Sequence, residues 1–473
     1  MATKEELADE WAIASTKKMY SYGFGYLIIN YFLVAGLAVL YYYYTVELGL
    51  PFFLAGLAMT IFAIWNMFND PLLGYLTDRP MKWSRRWGFR APWVVMSSIP
   101  FLIFYFLIWI PPVGGGVWLL FFWLLFTTFV FDSCFSIYND HIYGGFTNQF
   151  PSEYERRKGF AIIVTIAAFG VIFTRLVPDT IITYGRPETF VLSALVVTVI
   201  LLILNIFVYL GIKESKELKE MLIRGFETTE KRGFFNVMKT ALKRKNFLIS
   251  LIGYTAVITA QTFQYMSDIF YMRDVLKMPY SPWMALVSLA GLAGLILSIP
   301  FWYNYARKHG FKRTYYVGLF LAGLLYLPLL IIPPGEIGLV LWIIFRFIGG
   351  IPYAGYTVML MPVASDTCDE VSIYLGRRQD GTLQGIRTFF FRIAYIVQGI
   401  VFSLVFIITA YNPNAEFGTS QPEAAIWGVR ILAGLIPALV MLVMCFIFYK
   451  FYELEGEKKK EIMKQVKEMG LVR

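Results

Sequence analysis

Charge is what this chain has least of. Only 16% of its 473 residues are Asp, Glu, Lys or Arg, where a soluble protein of this size carries about 25%. With 58% hydrophobic residues, that shortfall excludes an ordinary soluble globular protein. Histidine is nearly absent, at His141 and His309, which leaves little for a histidine metal site or proton relay. The three cysteines, Cys134, Cys368 and Cys445, lie in or beside apolar segments without CxxC spacing. They read as small core residues, not metal ligands or disulfide partners. There is no Gly-x-Ser-x-Gly elbow, no His-Glu-x-x-His and no P-loop, so an enzyme is not expected and any active transport has to draw on an ion gradient. The first 20 residues are polar and mixed in charge, unlike a cleavable signal peptide.

What is present is a series of apolar runs of roughly 20 residues, each long enough to span a bilayer. Twelve spans are expected, near 24–45, 51–76, 92–111, 116–139, 159–183, 190–212, 246–271, 282–303, 313–333, 337–361, 385–410 and 425–451. The expected fold class is an all-α membrane protein in two six-helix halves. Residues 1–212 form one bundle, 213–245 a cytoplasmic central loop, 246–452 the second bundle and 453–473 a cytoplasmic tail.

Charge placement sets the topology. The loop 77–91 carries Arg79, Lys82, Arg85, Arg86 and Arg90 against Asp78 alone, and the loop 304–314 carries Arg307, Lys308, Lys312 and Arg313. The opposite loops offer only Arg186, Arg273 and Lys277. By the positive-inside rule both termini are cytoplasmic. The net charge of +10 is thereby explained without nucleic acid. A basic loop after the second span of each half hints at internal duplication, the layout of transporters that rock around a central site. In the central loop, Leu218, Leu222 and Phe226 suggest an amphipathic surface helix. The tail, with Lys458-Lys459-Lys460 and Ile462, Met463, Val466 and Met469, reads either as a second surface helix or as a solvated tail. Tyr41-Tyr42-Tyr43-Tyr44, at the outer end of the first span, fits an interfacial aromatic belt.

Polar residues inside spans are the functional candidates. Asn66 and Asp70 share one helical face, roughly 6 Å apart along the axis. A carboxylate at that depth costs about 2.5–3.5 kcal/mol on insertion scales unless a partner or cation offsets it. Asn30 lies in the first span, and Asp132, with Ser133 and Ser136, in the fourth. Arg346 precedes Gly349-Gly350-Ile351-Pro352, where a bent or broken helix is expected. Arg387 and Arg392 open the eleventh span, either to bind an anionic or polyhydroxyl substrate or to act as counter-charges. Asp268 and Arg175, near span ends, read as solvated or snorkelling. Two carboxylates with nearby Asn and Thr oxygens can hold Na⁺, or one can carry a proton.

The chain resembles the glycoside–pentoside–hexuronide:cation symporter family, the melibiose permease-like branch of the major facilitator superfamily. The likeness runs through Ser21-Tyr22-Gly23-Phe24-Gly25, Trp65-Asn66, Asn69-Asp70-Pro71-Leu72-Leu73-Gly74 and Arg86-Trp87-Gly88-Phe89-Arg90-Ala91-Pro92-Trp93. It continues in Ser365-Asp366-Thr367-Cys368-Asp369-Glu370, Gly376-Arg377-Arg378-Gln379-Asp380-Gly381 and Arg387-Thr388-Phe389-Phe390-Phe391-Arg392. The resemblance implies the major facilitator fold, with a cation site at Asp70, Asn66, Asp132 and Thr388 and a substrate site at Asn30, Asp132, Arg392 and Arg387. It departs from the sugar symporters in having Asn at 30 and 66 where they have Asp, Arg392 where they have Lys, and no counterpart of their fifth-span sugar-binding arginine. Asp78, Arg79, Asp366 and Asp369 are expected as gating salt bridges on the cytoplasmic side.

The implied function is cation-coupled symport of a sugar or glycoside by alternating access in the plasma membrane. A lysophospholipid or other amphiphile transporter on the same fold is the alternative, because the same superfamily branch includes the lysophosphatidylcholine symporters of animals; an uncoupled facilitator is the other. No cofactor is expected beyond a coupling Na⁺ or H⁺. The expected partners are the small-molecule substrate and membrane lipid, with no nucleic acid, and the chain is expected to act as a monomer.

Overall fold

The computed structural model describes residues 14–468 other than 35–38, 78–80, 113, much of 151–175, 217, 221–233, 377–379 and 418–420. Every regular element among the described residues is helical. That is the form an apolar chain takes in lipid, where each backbone N–H and C=O has to be satisfied within its own segment.

Nine helical stretches among the described residues are long and apolar enough to cross a membrane. One, Trp283–Leu330, has 48 residues and would run about 72 Å if straight, over twice the ~30 Å hydrocarbon thickness. It breaks at Gly310, whose φ of 81° and ψ of 166° suit a residue without Cβ. The basic residues Arg307, Lys308, Lys312 and Arg313 flank that break, so the stretch supplies the eighth and ninth expected spans. The first expected span corresponds to Thr16–Val34 followed by the short helix Leu40–Tyr42. The fifth, 159–183, is described in part, and its Arg175 lies outside the described residues.

The chain divides into two compact units: Met1–Leu37 with Phe68–Glu230, and Ala38–Met67 with Lys231–Arg473. In the first, Thr16–Val34 is stitched to Pro187–Ile212 by the Ser21 hydroxyl, which donates to the Phe207 carbonyl. Ala91–Ile108 is tied to the first helix by the Tyr31 and Tyr105 hydroxyls, 3.1 Å apart. At its start, Glu214 accepts hydrogen bonds from the backbone N–H groups of Phe89 and Arg90, satisfying donors that a helix N-terminus leaves open.

In the second unit, Trp283–Tyr326 and Gly335–Leu375 pack backbone on backbone. A Cβ on Gly294 would lie 1.9 Å from the Phe347 carbonyl oxygen, and one on Gly350 would lie 2.3 Å from that of Gly291. Small residues allow this approach, which dispersion and close packing then reward in lipid. The expected break near Gly349-Gly350-Ile351-Pro352 does not occur, because Gly335–Leu375 is helical throughout, with Pro352 and Pro362 inside it. The Trp302 indole donates to the Ile351 carbonyl at 2.7 Å, serving backbone next to the proline.

Two surface elements complete this unit. Phe234–Leu242 supplies Val237 and Ala241 to a buried cluster with Phe247, Leu251, Cys368, Val371, Leu383 and Ile386. Of the residues expected in an amphipathic helix of the central loop, Leu218 is helical and buried, and Leu222 and Phe226 lie outside the described residues. Cys368 is the small core residue its setting predicts. The tail forms the helix Gly456–Glu468.

The tyrosine run corrects the reading as an interfacial belt. Tyr41, Tyr42, Tyr43 and Tyr44 are all buried. They straddle the passage from Leu40–Tyr42 into a π-turn, Tyr43–Glu47, whose wider winding spreads them around the element. Tyr41 shares a 3.2 Å hydrogen bond with Ser403, and Tyr42 and Tyr41 pack edge-on against Phe270.

Candidate functional site

In the first unit the 68–77 part of the Phe52–Thr77 helix and the Val117–Gln149 helix are laced together by polar side chains. Asn69 is buried and donates its amide to Asp132 Oδ2 at 3.1 Å. Its Oδ1 lies 3.4 Å from the Ser133 hydroxyl, which also donates to the Phe129 carbonyl at 2.8 Å. One residue on, Asp70 is half-buried and accepts a hydrogen bond from the Ser136 hydroxyl. Asp132, Ser136 and Asp140 recur at four-residue intervals and so line one helical face. Asp140 continues the row, since a Cβ on Gly74 would lie 3.3 Å from its Oδ2.

The arrangement follows from sequence periodicity. Asn69 and Asp70 end an apolar stretch, and the fourth-span polar residues sit at 132, 133 and 136, a spacing that keeps them on one side of their helix. The structure thus brings Asp70 and Asp132 into one polar seam, as the sequence predicts. Asn69 was missed as a participant, although it stands in the same Asn-Asp-Pro. Chemically the seam offers two carboxylates, an amide oxygen and two hydroxyls. These are hard oxygen donors of the kind alkali and alkaline-earth cations take, and the carboxylates can alternatively carry a proton. Asn66 is buried one turn before Asp70. Asn30 is half-buried and donates its amide to the Tyr26 carbonyl of its own helix at 2.8 Å.

The other candidates lie in the second unit. Arg387 is buried on Asp380–Phe391 and donates from Nη2 to the Ala364 carbonyl at 2.8 Å and to Thr367 Oγ1 at 2.6 Å. Thr388 follows it and is half-buried. Arg392 sits at the junction between Asp380–Phe391 and Ile393–Ile408, its guanidinium carbon 4.7 Å from the centroid of the Phe391 ring. Asp366 pairs with Lys459 of the tail helix at 2.5 Å, and Asp369 is half-buried three residues along the same helix. Asp78 and Arg79 lie outside the described residues.

Two buried ionic groups were misplaced by the sequence reading. Asp268, expected to be solvated, is buried and paired with Arg346. Its helix Lys245–Phe270 does not end there but runs into the π-turn Tyr271–Val275, which carries Asp268 inside. Arg273, counted as a loop charge, is also buried. It donates from Nη1 to the Tyr411 hydroxyl at 3.0 Å and from Nη2 to the Ala415 carbonyl, and Tyr411 donates to Asp274. The neighbouring Asp274 was the available signal, since an Arg-Asp pair adds no net charge to a loop.

At the cytoplasmic end expected for the tail, Glu453 accepts hydrogen bonds from Lys245 and Lys458. Those bonds and the positive charge they bring hold its carboxyl down at about 2, and Lys458 is raised in return, chiefly by the Glu453 bond.

The family described as MFS/sugar transport protein matches residues 21–456. The sodium-dependent lysophosphatidylcholine symporter 1 of Mus musculus is 20% identical over 446 residues, covering 86% of this chain and 80% of the relative. The uncharacterized symporter YnaJ of Bacillus subtilis is 24% identical over 441 residues, covering 90% and 89%. Among solved structures, a POT family transporter in complex with 5-aminolevulinic acid aligns with a TM-score of 0.60 at 12% identity, covering 92% of this chain and 96% of that one. The nucleoside transporter NupG aligns with a TM-score of 0.57 at 15% identity, covering 93% and 100%.

Proposed function

The chain belongs to the MFS/sugar transport protein family, and from that premise we propose that it is a cation-coupled symporter whose substrate is an amphiphile of the lysophospholipid class. The observation that carries the coupling is the seam of Asn69, Asp70, Asp132, Ser133 and Ser136. It places ionisable oxygen donors where lipid offers a charge nothing else, and a cation is the natural partner of such a cluster. The substrate class is supported by relatives along most of the chain that are named sodium-dependent lysophosphatidylcholine symporters. Asn30 and Asn66, where sugar symporters of the resembling family have aspartates, point the same way, because a neutral amide binds a hydroxyl without charge assistance.

In this reading Na⁺ or H⁺ occupies the seam around Asp70 and Asp132, and its binding favours the substrate-loaded state that alternates access across the membrane. The protein works in the cell membrane with both termini in the cytoplasm. The basic residues Lys82, Arg85, Arg86, Arg307, Lys308, Lys312 and Arg313 support that orientation. A sugar or glycoside is the second reading, favoured by the description of the matching family.

The test is thermal stabilisation of the purified protein by lysolipids, glycosides, pentosides and uronates, each with Na⁺, Li⁺ or K⁺ and at two pH values. A binder raises Tm by mass action. A lysolipid shift that depends on Na⁺ or on low pH is the expected result. A cation-dependent shift with a glycoside and none with lysolipid overturns the amphiphile reading in favour of sugar. A shift indifferent to every cation and to pH removes the coupling.

A further inference from the structure

Arg387 is a buried cation that the proposed transport cycle does not use. It is 4% exposed, and Cys368, Tyr254 and Tyr452 interact with it electrostatically, all uncharged at neutral pH in their ordinary range. No carboxylate among the described residues pairs with it. Both protons on Nη2 are spoken for by Ala364 and Thr367, and the Phe247 ring lies 5.3 Å from the guanidinium carbon. Three of the five guanidinium N–H groups remain for the Cys368 thiol and for the space beside it.

That space is a cavity of about 20 Å³ bounded by Arg387, Ser250, Tyr254, Tyr315, Leu360 and Val363. Its volume admits one water-sized occupant. Ser250 and Tyr254 are four residues apart on Lys245–Phe270 and so face the same way. Leu360 and Val363, from Gly335–Leu375, supply apolar wall. The cavity therefore combines one guanidinium, three hydroxyls and little else that is polar. A buried charge without a counter-charge costs several kcal/mol, and hydroxyl groups can turn their protons toward an anion.

We propose that Arg387 and this cavity form a binding site for a single small monovalent anion, of the size and charge of chloride. The bound anion neutralises Arg387 and receives hydrogen bonds from it and from the Tyr254 and Tyr315 hydroxyls, while Ser250, whose hydroxyl donates to the Phe247 carbonyl at 2.9 Å, lines the wall. It thereby fixes the Asp380–Phe391 helix against Lys245–Phe270 and Gly335–Leu375. It is a site distinct from the seam at Asp70 and Asp132 and does not depend on what the transporter carries.

The experiment is anion-dependent thermal stability of the full chain in detergent, with sodium gluconate replaced stepwise by sodium chloride or bromide at constant Na⁺ and ionic strength. The expected result is a saturable rise in Tm on the order of 2–4 °C in the wild type, reduced in Tyr254→Phe and absent in Arg387→Gln. Should Arg387→Gln fail to fold, crystals of the wild type grown in bromide carry the test, since anomalous scattering locates the ion directly. A peak beside Arg387 supports the site. Equal Tm in gluconate and chloride, or bromide crystals with no anomalous peak at Arg387, overturns it.

Discussion

Asn69 donates its side-chain amide to Asp132 at 3.1 Å, while the next residue along, Asp70, accepts from Ser136. Two adjacent residues of one helix thus reach two residues a turn apart on another. Each helix thus supplies one donor and one carboxylate acceptor to the other.

Replacing Asn69 by Ala removes one charge-assisted hydrogen bond, worth about 1.5–3 kcal/mol. The apparent affinity for the coupling cation should fall at least about tenfold, with expression preserved. Cation titration of Tm or of uptake reads this directly, and an unchanged affinity would show that Asn69 only packs.

Asp70→Asn keeps the shape and the Ser136 contact but removes the charge. Cation-dependent uptake should be lost while the folded protein remains. Uptake that keeps its dependence on the Na⁺ or pH gradient would remove Asp70 from the coupling site.

The buried Asp268–Arg346 pair predicts an asymmetry between single and double variants. Arg346→Met removes the guanidinium beside a buried carboxylate and should destabilise by about 3–5 kcal/mol, whereas adding Asp268→Leu should recover most of that loss. Denaturation of the purified variants tests it; additive losses would mean that the two side chains contribute independently.

The Glu453 carboxyl, held down at about 2 by Lys245 and Lys458, predicts a pH dependence of definite sign. A folded pKa below the ordinary 4.5 of a glutamate means the ion pairs contribute fully above about 4.5, and that their contribution is lost as pH falls toward 2. The Tm difference between wild type and Glu453→Gln should therefore shrink across that window. The groups are exposed, so the difference is small and should also shrink in high salt.

How much was legible follows from the range of each interaction. Apolar run length alone gives an all-helical membrane chain, because lipid leaves the backbone no other partner than itself. Helical periodicity puts Asp132 and Ser136 on one face, and the depth of Asp70 in its run marks it as costly. Those are local properties of the chain, and the structure bears out the helices and the shared face of Asp132 and Ser136. What the chain could not state is which helix each face meets. The burial of Tyr41 and Tyr42 involves Phe270 and Ser403, more than 220 residues away in sequence. The partner of Asp268 is Arg346 on another helix, and Asp366 turns to Lys459 of the tail. Arg387 likewise finds its partners, Ala364 and Thr367, on another helix. Sequence by itself determined the spans and the acids that need an explanation. Tertiary packing alone decided which charges are paired, because that outcome belongs to long-range contacts and not to any local pattern.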